Sequence, residues 1–197
     1  MRNQVFLTLC LFLLAVTSPA LADEWVVDPS HSDVEFSVRH MMVSNTKGEF
    51  KKFSGTAHID DADLNKSRVN FEIDVASIDT DDAKRDEHLK GPDFFNVAKH
   101  PKITFKSTSI KRFGRRYKVT GDLTMHGVTK SVVLKAKLSK PAQGMHGMIR
   151  GVSVSGSIMR KDFNMTWNKT LDAGGLAVGD EVEIEVELEL QQKAAKK

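Results

Sequence analysis

One cysteine occurs in 197 residues, Cys10, and Leu11-Phe12-Leu13-Leu14 follows it where a lipid-anchored chain would have its cleavage junction. A lipoprotein anchor is thereby disfavoured, and past Cys10 neither a disulfide nor a thiolate metal site can form. Bilayer-spanning runs are lacking too, since the apolar stretch from Val5 to Val16 falls short of the roughly 18–20 residues a helix needs. With 29 Lys+Arg against 26 Asp+Glu the charge is nearly balanced and no basic block stands out, so nucleic acid is not an expected partner. Seven histidines are scattered with no HExxH or HxH spacing, and neither a nucleophile elbow nor a Gly-rich phosphate loop occurs. Nothing calls for a metal or a required cofactor.

What the chain does have begins with a leader. Arg2, the apolar run and Ala20-Leu21-Ala22, a small-x-small site, read as a secretory signal cleaved after Ala22. Residues 23–197 are then one exported domain, and the shortage of cysteine suits a bacterial periplasm.

From Trp25 onward the pattern has a period of two. Val34, Phe36 and Val38 alternate with Asp33, Glu35, Ser37 and Arg39, and Val182 to Leu190 alternate with five glutamates. Between them lie Phe53, Gly55, Ala57 and Ile59, then Val69, Phe71, Ile73 and Val75, then Ile103 and Phe105. Val119, Gly121 and Leu123, then Val132, Leu134 and Ala136, then Val152, Val154, Gly156 and Ile158 complete the set. Phe50 breaks parity with Phe53, which predicts a bend near Lys51-Lys52. Turns are expected at Phe113-Gly114 and His126-Gly127, and loops at Pro141–Gly147 and around Asp172.

About eight strands with short connections make an antiparallel sheet whose apolar face must be covered. The expected fold is all-β, an eight-stranded antiparallel barrel with an apolar interior, and a two-layer sandwich is the alternative. An outer-membrane barrel has the same period with reversed polarity, but two Trp and one Tyr are too few for paired aromatic girdles. Gly55, Ala57, Gly121, Ala136 and Gly156 fall on the inward parity; they either leave room for a ligand or let a small barrel turn its corners.

One segment departs from strand patterning. Residues 80–92 predict a helix of about ten residues, capped by Thr80 and ended at Gly91-Pro92, inserted between strands. It has little apolar surface, so Phe94 and Phe95 are the expected anchors, each aromatic contributing about 1.5–3 kcal/mol when buried. Helix and aromatic plug together form a cap over the barrel mouth. His40 continues the Val34-Phe36-Val38 face, either as a satisfied core imidazole or as a polar contact in the cavity. His88 belongs to a solvated basic face or to a polar collar at the mouth.

The phrases DPSHSDVEFSVRH (28–40), GEFKKFSG (48–55), RDEHL (85–89), HPKITF (100–105) and GDLTMHGVTK (121–130), in this order, resemble the YceI-like family of exported lipocalin-like proteins. That resemblance implies a long apolar pocket for a polyisoprenoid, such as a polyprenyl diphosphate or an isoprenoid quinone, and no settled enzymatic activity. By motif it implies that Phe36, Val38, His40, Phe53 and Phe105 line the pocket and that Arg85 and His88 lie at its polar end. Strand parity and the cap add Phe71, Ile73, Leu123, Leu134, Phe94 and Phe95 as ligand-binding candidates. The expected partner is a long-chain isoprenoid lipid, with transient membrane-surface contact and a homodimer as further expectations. Two rivals stand beside this reading: an enzyme using Arg85, His88 and His40 on a head group, and a stress-related interaction protein with a filled barrel.

Overall fold

The computed structural model describes residues 23–172 and 174–193; the leader read at 1–22, with its cleavage site, lies outside them. Eleven strands and one helix follow in the order β1 Asp23–His40, β2 Ser44–Phe50, β3 Phe53–Ile59, β4 Arg68–Asp74, β5 Ile78–Asp79, α1 Ala83–Lys90, β6 Lys102–Phe113, β7 Arg116–Met125, β8 Val128–Leu138, β9 Ala142–Gly144, β10 Gly147–Met159 and β11 Val178–Gln192.

The sheet runs β11-β10-β8-β7-β6-β4-β3-β1, and β11 also pairs with β1, which closes eight antiparallel strands into a barrel. That closure leaves no place for the sandwich alternative. The extra strands decorate the ring. β2 and β5 extend it beside the upper half of β1, and β9, inside the expected Pro141–Gly147 loop, pairs with β10.

β1 is long enough to serve two neighbours. Its first residues pair with β3, from Asp23↔Ile59 to Val26↔Thr56, and its last with β2, from Glu35↔Glu49 to His40↔Ser44. The chain changes from β2 to β3 by the bend at Lys51-Lys52 that the parity of Phe50 and Phe53 predicts. The outward glutamates of β11 are mostly exposed while Val182, Ile184, Val186 and Leu188 are half-buried and Leu190 is buried, so the alternation sorts as expected.

Against β11, β1 makes an excursion. Asp28 pairs with Glu189 and Asp33 with Glu187, so Pro29 to Ser32 stand opposite a single residue. Side chains repair the broken ladder. Buried Ser32 donates from Oγ to the Asp28 carbonyl (2.7 Å) and accepts from the Glu189 amide (3.0 Å). The Asp28 carboxylate accepts from the Ser30 amide and hydroxyl and from Gln191 Nε2, and lies 3.0 Å from His31 Nδ1. These bonds to Ser30 and His31 hold Asp28 down at about 2, and the bond to Asp28 raises His31 above its ordinary 6.5.

The helix begins later than the sequence suggests. Asp82, not Thr80, is the cap, its carboxylate accepting from the amides of Lys84 (3.0 Å) and Arg85 (3.1 Å), and α1 has eight residues rather than about ten. Thr80 is buried in a knot with the helix instead. It donates from N and Oγ1 to Asp86, and Arg85 donates from Nε to Thr80 Oγ1 (2.8 Å) and from Nη2 to the Thr80 carbonyl.

The Asp28–His31 couple makes the excursion pH-dependent. His31's contribution is complete below pH 6.5 and is lost as pH rises through its raised pKa; Asp28's is complete above 3.8 and is lost as pH falls towards about 2. The excursion should therefore be tightest between about pH 4 and 6.5. In an NMR titration His31 should titrate above 6.5 in the wild type and return towards it in Asp28→Asn. A wild-type value at or below 6.5 would show that the couple does not form.

Candidate functional site

The apolar faces of all eight ring strands meet around a cavity of about 300 Å³. Along β11 alone its lining runs Val178, Val182, Ile184, Val186, Leu188 and Leu190. The twelve steps from Val178 to Leu190, at about 3.3 Å each and tilted about 40° to the barrel axis, span roughly 30 Å. So small a volume bordered by residues along that whole length describes a narrow slot rather than a round chamber.

Glycines keep the slot open indirectly. A Cβ on Gly48 would lie 2.4 Å from the tip of the Phe36 ring, on Gly55 2.6 Å from Phe71, on Gly121 2.4 Å from Phe105, and on Gly156 2.6 Å from Leu134. Phe36 and Gly48 are direct cross-strand partners, as are Phe71 and Gly55. Each large side chain thus lies over the bare backbone of a neighbouring strand, flat along the wall. Gly121 and Gly156 are not themselves part of the lining. The room attributed to them in the sequence belongs to the rings and branches that they let lie down.

The upper end has two covers. One is α1 with the segment after it: Phe94 is buried, and Phe95 meets Phe50 edge-on with centroids 6.0 Å apart, Phe50 in turn contacting Phe36. The other is the connection between β10 and β11, which buries Phe163 and Met165. His88 joins the covers, its ring edge-on to Phe94 at 5.0 Å and to Trp167 at 4.9 Å. Behind the second cover lies Arg160, 3 % exposed. It donates to the carbonyls of Met165, Trp167, Val178 and Gly179 and to Asp180 Oδ1, so its five N–H donors are engaged. Burial lowers its pKa and Asp180 opposes that shift.

At the lower end Trp25 is fully buried, with the Arg150 guanidinium 5.4 Å from its ring centre. Arg150 donates to the Ser139 carbonyl and to both Asp61 oxygens at 3.0 Å. One arginine therefore staples each end.

Of the residues singled out in the sequence, Phe36, Val38, Phe71, Ile73, Phe94, Phe95, Phe105, Leu123 and Leu134 line the cavity. Four do not. Phe53 stacks behind Phe71 at 5.8 Å, tying the upper and lower core clusters together. His40 is exposed, because β1 shifts register between Val38 and His40 and has by then reached the rim. Arg85 is occupied in the Thr80 knot, and His88 Nε2 lies 2.9 Å from Asp93 Oδ2 rather than facing the cavity.

The second cover went unnoticed in the sequence. Phe163-Asn-Met165-Thr-Trp167 does carry the period-two signal, but the run is short and borders a loop. Asp28, His31 and Glu189 bring ligand-type atoms within 4.8 Å of one another, on the exposed outer wall and hydrogen-bonded within the excursion.

Comparison with known proteins points one way. The model of the YceI-like domain matches residues 25–190. Protein YceI of Salmonella newport is 40% identical over 185 residues, covering 92% of this chain and 94% of that one. Among solved structures, Burkholderia cenocepacia BcnA superposes with a TM-score of 0.73 at 30% identity, over 83% of this chain and 98% of its own. A polyisoprenoid binding domain from Saccharophagus degradans has the same fold, with a TM-score of 0.63 at 17% identity over 86% of this chain and 98% of that one.

The glycine arrangement sets an order of substitution costs. A Cβ at Gly121 meets both Phe105 and the Lys106 carbonyl (2.5 Å), and the backbone oxygen cannot give way; at Gly156 it meets first a leucine methyl, which can rotate. Gly121→Ala should cost about 1–3 kcal/mol in urea unfolding and Gly156→Ala clearly less. Equal costs would mean that the liners are not seated as described.

Proposed function

Because this chain belongs to the YceI-like family, we propose that its barrel is an exported, periplasmic lipid-binding protein that holds one long isoprenoid chain in the slot for carriage, storage or sensing. The observation that carries this reading is the shape of the cavity: narrow, lined by aliphatic and aromatic side chains, and as long as the barrel. A chain leaving a membrane keeps its free energy only if each methylene finds another apolar wall, about 0.8 kcal/mol per CH₂. A narrow apolar slot meets that condition along its length; a round pocket would not. The polyisoprenoid named for the Saccharophagus degradans domain of the same fold is in line with it.

Between the two head groups, the uncharged isoprenoid quinone has the better support. A diphosphate needs free cationic donors at the mouth. Arg160 has all five donors engaged, Arg85 is bound to Thr80, and the histidine at the cover already faces a carboxylate, Asp93. The same engagements weigh against a hydrolase working through Arg85, His88 and His40, and the hollow interior weighs against a side-chain-filled barrel. Carriage implies brief encounters with a membrane surface, where the chain is taken up or given back.

Solvent extraction of the purified protein followed by mass spectrometry should release an isoprenoid in near-stoichiometric amount, and stripped protein should take up added quinone. Ile184→Trp, which places an indole in the slot, should weaken uptake at least about tenfold while the far-UV spectrum is kept. Absence of both, with no native isoprenoid released and no quinone taken up by the wild type, would refute the reading.

A further inference from the structure

The β6–β7 hairpin ends in Lys111-Arg112-Phe113-Gly114-Arg115-Arg116-Tyr117-Lys118. All five cations of this stretch are exposed, and among the described residues none of them takes part in an ion pair. No acid occurs between Asp93 and Asp122, and Lys118 faces Lys135 across the β7–β8 pairing, which continues the positive surface onto the next strand. At the apex Phe113 is 75% exposed, the one strongly exposed aromatic among the described residues.

The presentation is rigid. Phe113 pairs with Arg116 across the two-residue turn Gly114-Arg115, and Gly114 has φ +61, which glycine adopts without strain. β4 pairs with β6 only as far as Lys106, so this end of the hairpin projects with no strand on that side. In the sequence these five cations fall within eight consecutive residues, a basic block that the near-balanced charge of the whole chain masks.

We propose that this apex docks the protein on the surface of an anionic phospholipid bilayer. Phe113 enters the headgroup–acyl boundary and the surrounding guanidinium and ammonium groups meet lipid phosphates. An exposed ring ringed by cations is the chemistry that such an interface rewards, each Lys or Arg near the surface strengthening binding about fivefold. A nucleic-acid strand would meet the cations but needs successive stacking platforms, and the apex offers one ring. The inference takes its purpose, though not its physics, from the carrier reading.

Co-sedimentation of the protein, purified as the cell processes it, with phosphatidylcholine vesicles containing or lacking phosphatidylglycerol tests it. Every variant shares the same N-terminus, so ratios between them read the apex alone. Binding should require phosphatidylglycerol and fade as salt rises from about 0.05 to about 0.5 M. Arg115→Glu with Arg116→Glu should reduce it at least about tenfold and Phe113→Ser several-fold, whereas Met42→Ser at the opposite end should leave it unchanged. Circular dichroism confirms that the variants are folded. Equal binding to neutral vesicles, insensitivity to both apex variants, or apex-dependent retention of an RNA oligonucleotide without vesicle binding would each overturn the proposal. Vesicle binding by a protein that yields no isoprenoid would keep the docking surface and remove the cargo; the converse would do the opposite.

Discussion

The pairing of β1 with β11 is the contact on which the rest of the molecule depends. An antiparallel sheet with one apolar face exposes two edges and a greasy side, and joining its first and last strands removes both liabilities at once. The joint carries pairs such as Val34↔Val186, Phe36↔Ile184 and Val38↔Val182, with inward side chains opposite one another on both sides of the seam. Where the ladder fails, at Pro29 to Ser32, Ser32 and Asp28 hold the opened backbone, so the seam closes without orphaned groups at that point.

Closure by itself would give a barrel filled with its own side chains. The hollow arises because large residues stand beside glycines on adjacent strands and lie over them. A ring laid along the wall still removes its faces from water, yet it leaves the axis free. The same economy shows at the ends, where Arg160 gathers four carbonyls and the Asp180 carboxylate, and Arg150 the Ser139 carbonyl and the Asp61 carboxylate. A buried guanidinium is tolerated there because its donors are met by acceptors. Function follows from this division: strands provide an apolar tube, glycines keep it unfilled, and arginines secure its ends.

The alternation made the barrel legible. Strand faces, the Lys51-Lys52 bend, the insertion after β4 and most lining residues follow from parity and turn chemistry, because these are local. The misplaced residues share a cause. His40 keeps the right spacing, but a register shift at the end of β1 carries it to the rim. Thr80 has the right chemistry for a cap, but Asp82 reaches the amides and Thr80 is drawn into Asp86 and Arg85 instead. Phe53 has the right parity yet stands behind Phe71, since depth in a curved wall is not encoded in alternation. The cations of the β6–β7 apex already lie within eight consecutive residues of the sequence and escaped notice because the charge of the whole chain is nearly balanced.

By itself, then, the sequence determined that an antiparallel sheet would wrap with its apolar side inward, and which side chains would face that interior, since a strand's side chains alternate whatever surrounds them. Tertiary structure alone decided whether the interior would be full or hollow and which polar groups would be free at its ends. Those outcomes turn on contacts between strands far apart in the chain, and neither the lie of a phenyl ring over a distant glycine nor the capture of a guanidinium by four carbonyls is written in any one segment.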